Sequence, residues 1–195
     1  AETPSARSVT ILSLSRRAQG AAISPDGARA AMYSDVATVV VDAETGDEIA
    51  HLKWPSPPQL VRFSRDGALL ATITRERRNA KDLFVIHDLA SQAPPRSVEV
   101  PRTDDLISTA DGKEWILATR SGHVLRLAAH AGRRLGKWEL RPEESAGLAR
   151  PSSRALRRDP ASDRLFLLRR TRLAAMHRAR ATGEPIEYFD LAPST

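Results

Sequence analysis

Short apolar segments recur along the whole chain and are separated by turns rich in Asp, Gly and Pro. Some of these segments alternate apolar and polar residues, whereas others, such as 39–41 and 83–86, are apolar throughout. Alternation predicts a half-buried β-strand, and a short continuous apolar segment between turns is typical of a strand buried on both faces. No apolar segment approaches the roughly 18–20 residues that a membrane span needs. The pattern predicts an all-β fold.

One turn motif recurs and is followed each time by an apolar strand. It is Ser-Pro-Asp-Gly at 24–27, Ser-Arg-Asp-Gly at 64–67 and Thr-Ala-Asp-Gly at 109–112, with a degenerate copy at 158–163. A period of about 40–45 residues is typical of β-propeller blades. Asp-Gly permits a tight hairpin because Gly adopts positive φ without a Cβ clash. The predicted structural turn residues are Asp26, Gly27, Asp66, Gly67, Asp111 and Gly112.

Each repeat contains four short predicted strands, and the whole chain, 1–195, is predicted to be one β-propeller segment. The predicted blades are approximately residues 18–54, 59–100, 104–140 and 154–191. Segment 8–15 alternates apolar and polar residues before the first Asp-Gly turn. Its position predicts an outer strand that completes a blade from elsewhere. Prolines at 55–58 and 94–95 are predicted to be rigid spacers at blade junctions.

The repeats resemble those of the WD40 family. The resemblance rests on the motif at 24–27, on Val41-Asp42 at a strand end with Thr45-Gly46 after it, and on His87-Asp88 where the family places Trp-Asp. It covers approximately residues 8–191, although no repeat has the Trp of the family's Trp-Asp pair. Bacterial propellers similar to the TolB type are a near alternative. The resemblance implies four-stranded blades in a ring that usually closes with seven or eight of them.

About four blades are fewer than such rings contain, so we expect this chain to form part of a larger ring. The remaining blades are expected on a second chain, on a cleaved fragment or on a second copy of this chain. An open half-ring exposes the apolar faces of its first and last blades, which is unfavourable in water. We therefore expect that the chain does not exist alone as a stable monomer.

Positive charge is concentrated near the C-terminal end of the sequence. Lysine and arginine number 30 against 24 aspartates and glutamates, a net charge of +6. Residues 150–180 hold ten arginines and two aspartates, a net +8, so the rest of the chain is close to −2. One interpretation is a solvated, arginine-rich surface. The alternative is attraction of nucleic acid or of an acidic protein, although Phe166 is the only aromatic residue among these arginines.

The sequence contains no recognisable catalytic or metal-binding motif. Cysteine is absent, which excludes disulfides and Cys-based zinc sites and leaves the compartment open between cytoplasm and periplasm. Neither His-Glu-x-x-His, Gly-x-Ser-x-Gly nor a Gly-rich phosphate loop is present. Asp104 and Asp105 are adjacent on a predicted strand, so their side chains point to opposite faces and are poorly placed to share a proton or a metal. We predict no catalytic residues, no metal ligands and no cofactor.

The candidate partner-binding residues are arginines in two regions. The charged loop 74–81 is longer than its counterparts, and the C-terminal segment is strongly basic. The candidates are Arg75, Arg77, Arg78, Arg157, Arg158, Arg169, Arg170 and Arg172. Trp54, Trp115 and Trp138 are interpreted as blade-to-blade packing residues, with an aromatic anchor for a partner as the alternative.

These observations predict a non-enzymatic protein–protein interaction scaffold or regulatory subunit, built on a WD40-like propeller and acting in a complex. Rigid blades hold variable loops, so one ring presents several binding surfaces. The first alternative is an enzyme or ligand-binding protein whose channel site is completed by blades outside this chain. The second is an arginine-dependent binder of nucleic acid or acidic protein. No membrane association is expected.

Overall fold

Sixteen β-strands make up the regular structure of the described chain. The computed structural model describes residues 18–54, 56–75, 80–91, 93–109, 111–121 and 123–139, together with four later strands between residues 154 and 190. The strands form four antiparallel sheets, and within each sheet every strand pairs with the next one along the chain. Each sheet is therefore a four-stranded meander.

Each sheet consists of four consecutive strands of four to eight residues. The first sheet contains β1 (Gly20–Ile23), β2 (Arg29–Tyr33), β3 (Ala37–Asp42) and β4 (Glu48–Lys53). The second contains β5 (Pro58–Phe63), β6 (Leu69–Thr74), β7 (Lys81–Asp88) and β8 (Arg96–Pro101). The third contains β9 (Thr103–Ser108), β10 (Glu114–Thr119), β11 (His123–Ala128) and β12 (Arg134–Glu139). The fourth contains β13 (Arg154–Arg158), β14 (Arg164–Arg169), β15 (Arg172–His177) and β16 (Pro185–Asp190).

The prediction of an all-β fold with four four-stranded sheets is confirmed. The predicted outer strand at 8–15 lies outside the described residues. One prediction about the prolines was wrong: Pro94 and Pro95 lie in the turn between β7 and β8, inside the second sheet, and not at a junction between sheets. A proline pair fits this turn because the turn requires no backbone N–H from either residue.

The four sheets pack side by side in chain order, with their first strands adjacent. Strand β1 contacts β5, β5 contacts β9, and β9 contacts β13. The first and second sheets bury a small apolar cluster that includes Ala31, Val40 and Phe63. The second and third sheets bury a larger cluster, in which the Phe84 and Trp115 rings meet edge to face at 6.1 Å. Burial of this apolar surface holds the sheets together.

The Asp-Gly turns that join the first two strands of the first, second and third sheets share one set of hydrogen bonds. In the second sheet the Ser64 hydroxyl donates to the Asp66 carboxylate at 2.6 Å, and that carboxylate accepts the backbone N–H of Ala68 at 3.1 Å. Gly67 has a φ of 69°, which a residue with a Cβ adopts only with strain. The Ser64 hydrogen bond lowers the pKa of Asp66. The same bonds form around Asp26 and Asp111.

Candidate functional site

The first sheet has one face against the second sheet and an opposite face, which we call the outward face. Ala31 and Val40 pair across β2 and β3 and belong to the cluster shared with the second sheet. Side chains alternate between the two faces of a sheet. The neighbouring positions therefore point outward, and they are Ala21, Ile23, Ala30, Met32, Val39 and Val41.

The outward face is apolar and partly open to solvent. Ile23 is 71 % exposed, which is the largest exposure among the large apolar side chains of the described residues. Met32 and Val39 are half-buried, whereas Val41 is buried. In contrast, every residue of β6 and of β10 is buried, because those strands lie inside the stack of sheets. The first sheet thus has one packed apolar face and one apolar face that is incompletely covered.

A buried carboxylate, Asp82, joins the second sheet to the third. Its side chain has no solvent exposure and accepts hydrogen bonds from Arg75 Nε at 2.9 Å and Arg75 Nη2 at 3.0 Å. It also accepts from Arg102 Nη1 at 3.2 Å and from the backbone N–H of Thr103 at 2.8 Å. Four hydrogen bonds satisfy the buried charge and fix both guanidinium groups in place.

An open cleft of about 600 Å³ lies beside this carboxylate, between the second and third sheets. Ala80, Val100 and Pro101 provide apolar lining. The charged side chains that line the cleft are Lys81, Glu99, Arg102, Arg120 and Arg134. The cleft is therefore a partly apolar groove in which positive charge exceeds negative charge.

Three of the four cations that line the cleft are held by carboxylates of the same two sheets. Lys81 Nζ lies 2.6 Å from Glu99 Oε2, and Arg120 Nε lies 3.3 Å from Asp104 Oδ1. Arg102 is held by the buried Asp82 described above. The fourth cation, Arg134, is exposed, and its side chain has no hydrogen bond or ion pair within the part of the chain that the structure describes. Among the described cations of the cleft, Arg134 is thus the one that no carboxylate holds.

The structure of this chain is similar to those of 1032 solved chains. BamB from Moraxella catarrhalis is 15 % identical, with a TM-score of 0.62 over 88 % of this chain and 49 % of that one. The Cps50 (Swd1) β-propeller domain of Myceliophteria thermophila is 11 % identical, with a TM-score of 0.65 over 92 % of this chain and 60 % of that one. The fold is a β-propeller.

The comparisons do not extend beyond the propeller fold. No known protein family matches the sequence, and no curated protein matches it. The chain spans about half the length of BamB and 60 % of the Swd1 domain. Because identities of 11–15 % indicate shared architecture, they carry no residue-level function to this propeller.

The propeller places the candidate partner-binding arginines in separate regions. Arg75 is bound to Asp82, and this hydrogen bonding raises the pKa of Arg75 further above its high ordinary value. Arg169 and Arg172 pair across β14 and β15, while Arg157 and Arg158 lie on β13. The remaining candidates, outside the described residues, are Arg77, Arg78 and Arg170.

Trp54, Trp115 and His87 lie at packing positions within the propeller. Trp54 of the first sheet meets His87 of the second edge to face at 5.0 Å, and the Trp54 Nε1–H donates to Thr38 Oγ1 at 2.8 Å. Burial lowers the pKa of His87 to about 4, so its ring is neutral at pH 7. Trp115 is fully buried. The side chain of Trp138 lies outside the described residues.

No metal or membrane site emerges from the described residues. They contain no group of three or more His, Asp or Glu side chains placed to hold a metal ion. Asp104 and Asp105 have different partners, Arg120 and Arg62, each at 3.3 Å. Among the described elements there is no helix long and apolar enough to cross a membrane. Within the described residues, the outward face keeps an exposed apolar side chain, Ile23, and the cleft keeps an exposed arginine, Arg134, without an ionic partner.

Sequence reasoning missed the residues that form the cleft. Asp82 is 7 residues from Arg75 and 20 from Arg102, and no motif links them. Arg134 follows a turn in the third sheet, whereas Lys81 begins a strand in the second. Only the packing of two sheets brings these positions together, so the sequence contained no signal that connected them.

Proposed function

We propose that this chain is a non-enzymatic interaction scaffold, or a regulatory subunit, that acts within a protein complex. It resembles WD40 propellers in its repeats, and it works by holding other polypeptides against a rigid set of sheets. The observation that carries the proposal is the apolar outward face of the first sheet, on which Ile23 is 71 % exposed. Exposed apolar surface of this kind marks a place where a polypeptide packs.

We further propose that the occupant of the outward face is another four-stranded propeller blade. The two faces of the first sheet have a similar composition, since Ala31 and Val40 face the second sheet while Ala30 and Val41 face outward. A face built like a blade-to-blade contact fits another blade best, because flat apolar rows interdigitate with those of a second sheet. The chain spans 49 % and 60 % of two solved propellers, which leaves room for further blades in a ring of that size.

The rigidity of the described sheets supports a scaffold. Arg29 Nη1 of the first sheet donates to the Gly67 carbonyl of the second at 2.6 Å. Arg62 of the second sheet pairs with Asp105 of the third at 3.3 Å. These bonds, with the apolar clusters, fix the sheets relative to one another, so that a partner binds a preorganised surface at low entropic cost.

Molecular mass in solution tests the proposal. The purified chain is expected to associate into species of at least twice its 21.4 kDa mass when measured by light scattering after size-exclusion chromatography. Ile23→Glu is expected to shift the population towards the monomer, because burying an unpaired carboxylate in an apolar contact is unfavourable.

Val36→Glu provides the matched control, since Val36 is also an exposed apolar residue, at 40 %, but lies in the turn after β2 rather than on the outward face. It is expected to leave the mass distribution unchanged. A monodisperse 21.4 kDa monomer of the wild-type chain over a wide concentration range contradicts the proposal. Equal effects of the two substitutions also contradict it.

A further inference from the structure

We infer that the cleft between the second and third sheets is a binding site for an acidic segment of a partner protein. The segment's carboxylates bind Arg134 and Arg120, and its apolar portion lies on Val100 and Pro101. This site is distinct from the outward face and does not depend on what covers the first sheet.

The walls of the cleft are preorganised for an anionic ligand. Asp82 is fully buried and holds Arg102 at one side, and Asp104 holds Arg120. The Asp104 side chain is 13 % exposed, whereas that of Arg120 is 56 % exposed, so the guanidinium extends from a fixed base towards solvent. A cation fixed in this way loses little side-chain entropy when it binds a carboxylate.

Arg134 is the cation of the cleft whose guanidinium is available to a carboxylate of the partner. It lines the cleft, it is exposed, and within the described residues it has no ionic partner. A guanidinium presents five donors in a planar fork that matches the two oxygens of a carboxylate. An incoming glutamate or aspartate therefore has a bidentate partner that costs no existing ion pair.

The charge balance favours an acidic peptide over nucleic acid. Four cations line the cleft, and three carboxylates oppose them. One carboxylate, Glu99, also lines the cleft, whereas Asp82 and Asp104 lie behind it. The near balance suits one or two carboxylates, whereas a phosphate backbone requires a continuous excess of positive charge. Among the described residues that line the cleft there is also no aromatic side chain on which bases stack.

Fluorescence anisotropy with a labelled, glutamate-rich peptide of about ten residues tests the inference at low ionic strength, where screening is weak. The wild-type chain is expected to bind this peptide and not its glutamine-substituted counterpart. Arg134→Glu is expected to weaken binding by about tenfold or more, which is the scale of one charge-assisted hydrogen-bonded pair. Arg134→Gln is expected to have an intermediate effect, because it removes the charge without introducing repulsion.

Arg133→Glu is the matched control, because it makes the same charge change at the neighbouring exposed position, which does not line the cleft. It is expected to retain binding within about twofold. Circular dichroism of each variant establishes that the sheets remain folded. The inference is overturned if the glutamate peptide does not bind, if both glutamate variants lose affinity equally, or if a single-stranded oligonucleotide of about twenty nucleotides binds more tightly than the peptide.

Discussion

The first and third sheets have the same four-stranded topology, yet they differ in how completely they are buried. In the third sheet every residue of β10 is buried, and Trp115 and Leu117 belong to the larger apolar cluster. In the first sheet, Ala31 is the only fully buried residue of β2, and Ile23 is 71 % exposed. Topology is therefore set by the repeat, while stability is set by the neighbours that each sheet packs against.

This difference follows from the position of each sheet in the stack. A sheet inside the stack contributes its apolar area to folding, because both of its faces leave water. A sheet with an incompletely covered face keeps part of its apolar area in water, and in the function proposed above that area leaves water on association. The same sequence pattern thus buries different amounts of apolar area at the two positions.

The largest expected difference between the two sheets is in core truncation. Trp115→Ala is expected to lower the free energy of unfolding by about 3–5 kcal/mol, because it leaves a cavity against Phe84 in the larger cluster. Met32→Ala on the outward face is expected to cost about 1 kcal/mol, since that side chain is only half-buried. Urea denaturation of both variants measures the two losses. Similar losses would show that the two sheets are equally well packed and would contradict the difference in burial between them.

A smaller effect on the free energy of unfolding is expected when the pH is lowered, because His87 lies at the junction of the first and second sheets. Burial lowers the folded-state pKa of His87 to about 4, below an unfolded value near 6.5. The unfolded chain therefore binds more protons between these values, and stability decreases as the pH falls from about 6.5 to about 4. Because the imidazole is incompletely buried, we expect about 1–2 kcal/mol over this window.

The variant His87→Phe isolates this contribution, because it preserves an aromatic edge against Trp54 and removes the titrating group. Its free energy of unfolding is expected to decrease less between pH 6.5 and pH 4 than that of the wild-type chain. Identical pH profiles for His87→Phe and the wild-type chain would contradict the assignment.

The smallest expected effect compares two glycines in equivalent turns. Gly27 and Gly67 both have positive φ, so alanine at either position is strained by about 1 kcal/mol. A Cβ at Gly67 would lie 3.4 Å from the Ser24 Cβ of the first sheet, which is an ordinary van der Waals contact, whereas one at Gly27 would meet nothing within 4 Å. Thermal unfolding is therefore expected to show no larger loss for Gly67→Ala than for Gly27→Ala, and a clearly larger loss for Gly67→Ala would be inconsistent with this packing.

The sequence predicted the sheets well and the candidate sites poorly, for one physical reason. The alternation of strand residues and the Asp-Gly turns are local properties of the sequence. Residues such as Asp66 and Gly67 therefore predict a hairpin from their immediate neighbours alone. The cleft depends on side chains from two sheets, and its organising carboxylate, Asp82, has no local signature. Arg75 was predicted from the length and charge of its loop, and only the structure shows that it is bound to that carboxylate.

The sequence predicted the exposed apolar face only indirectly, because about four blades are fewer than a closed ring contains. The nearly continuous apolar residues of β2 and β3 show that both faces of the first sheet are apolar, but they do not show which face a neighbour covers. Packing of Ala31 and Val40 against the second sheet settles that point, and it identifies Ile23 as a member of the opposite face.

Thiol accessibility in the associated form tests most directly whether another sheet covers the outward face. The chain contains no cysteine, so Ile23→Cys and Val36→Cys each introduce a unique reactive group. In the isolated chain position 23 is the more exposed, at 71 % against 40 %, and is expected to react with a maleimide faster. In the associated form the order is predicted to reverse, with position 23 protected and position 36 unchanged. Faster reaction at position 23 in both forms would contradict the account.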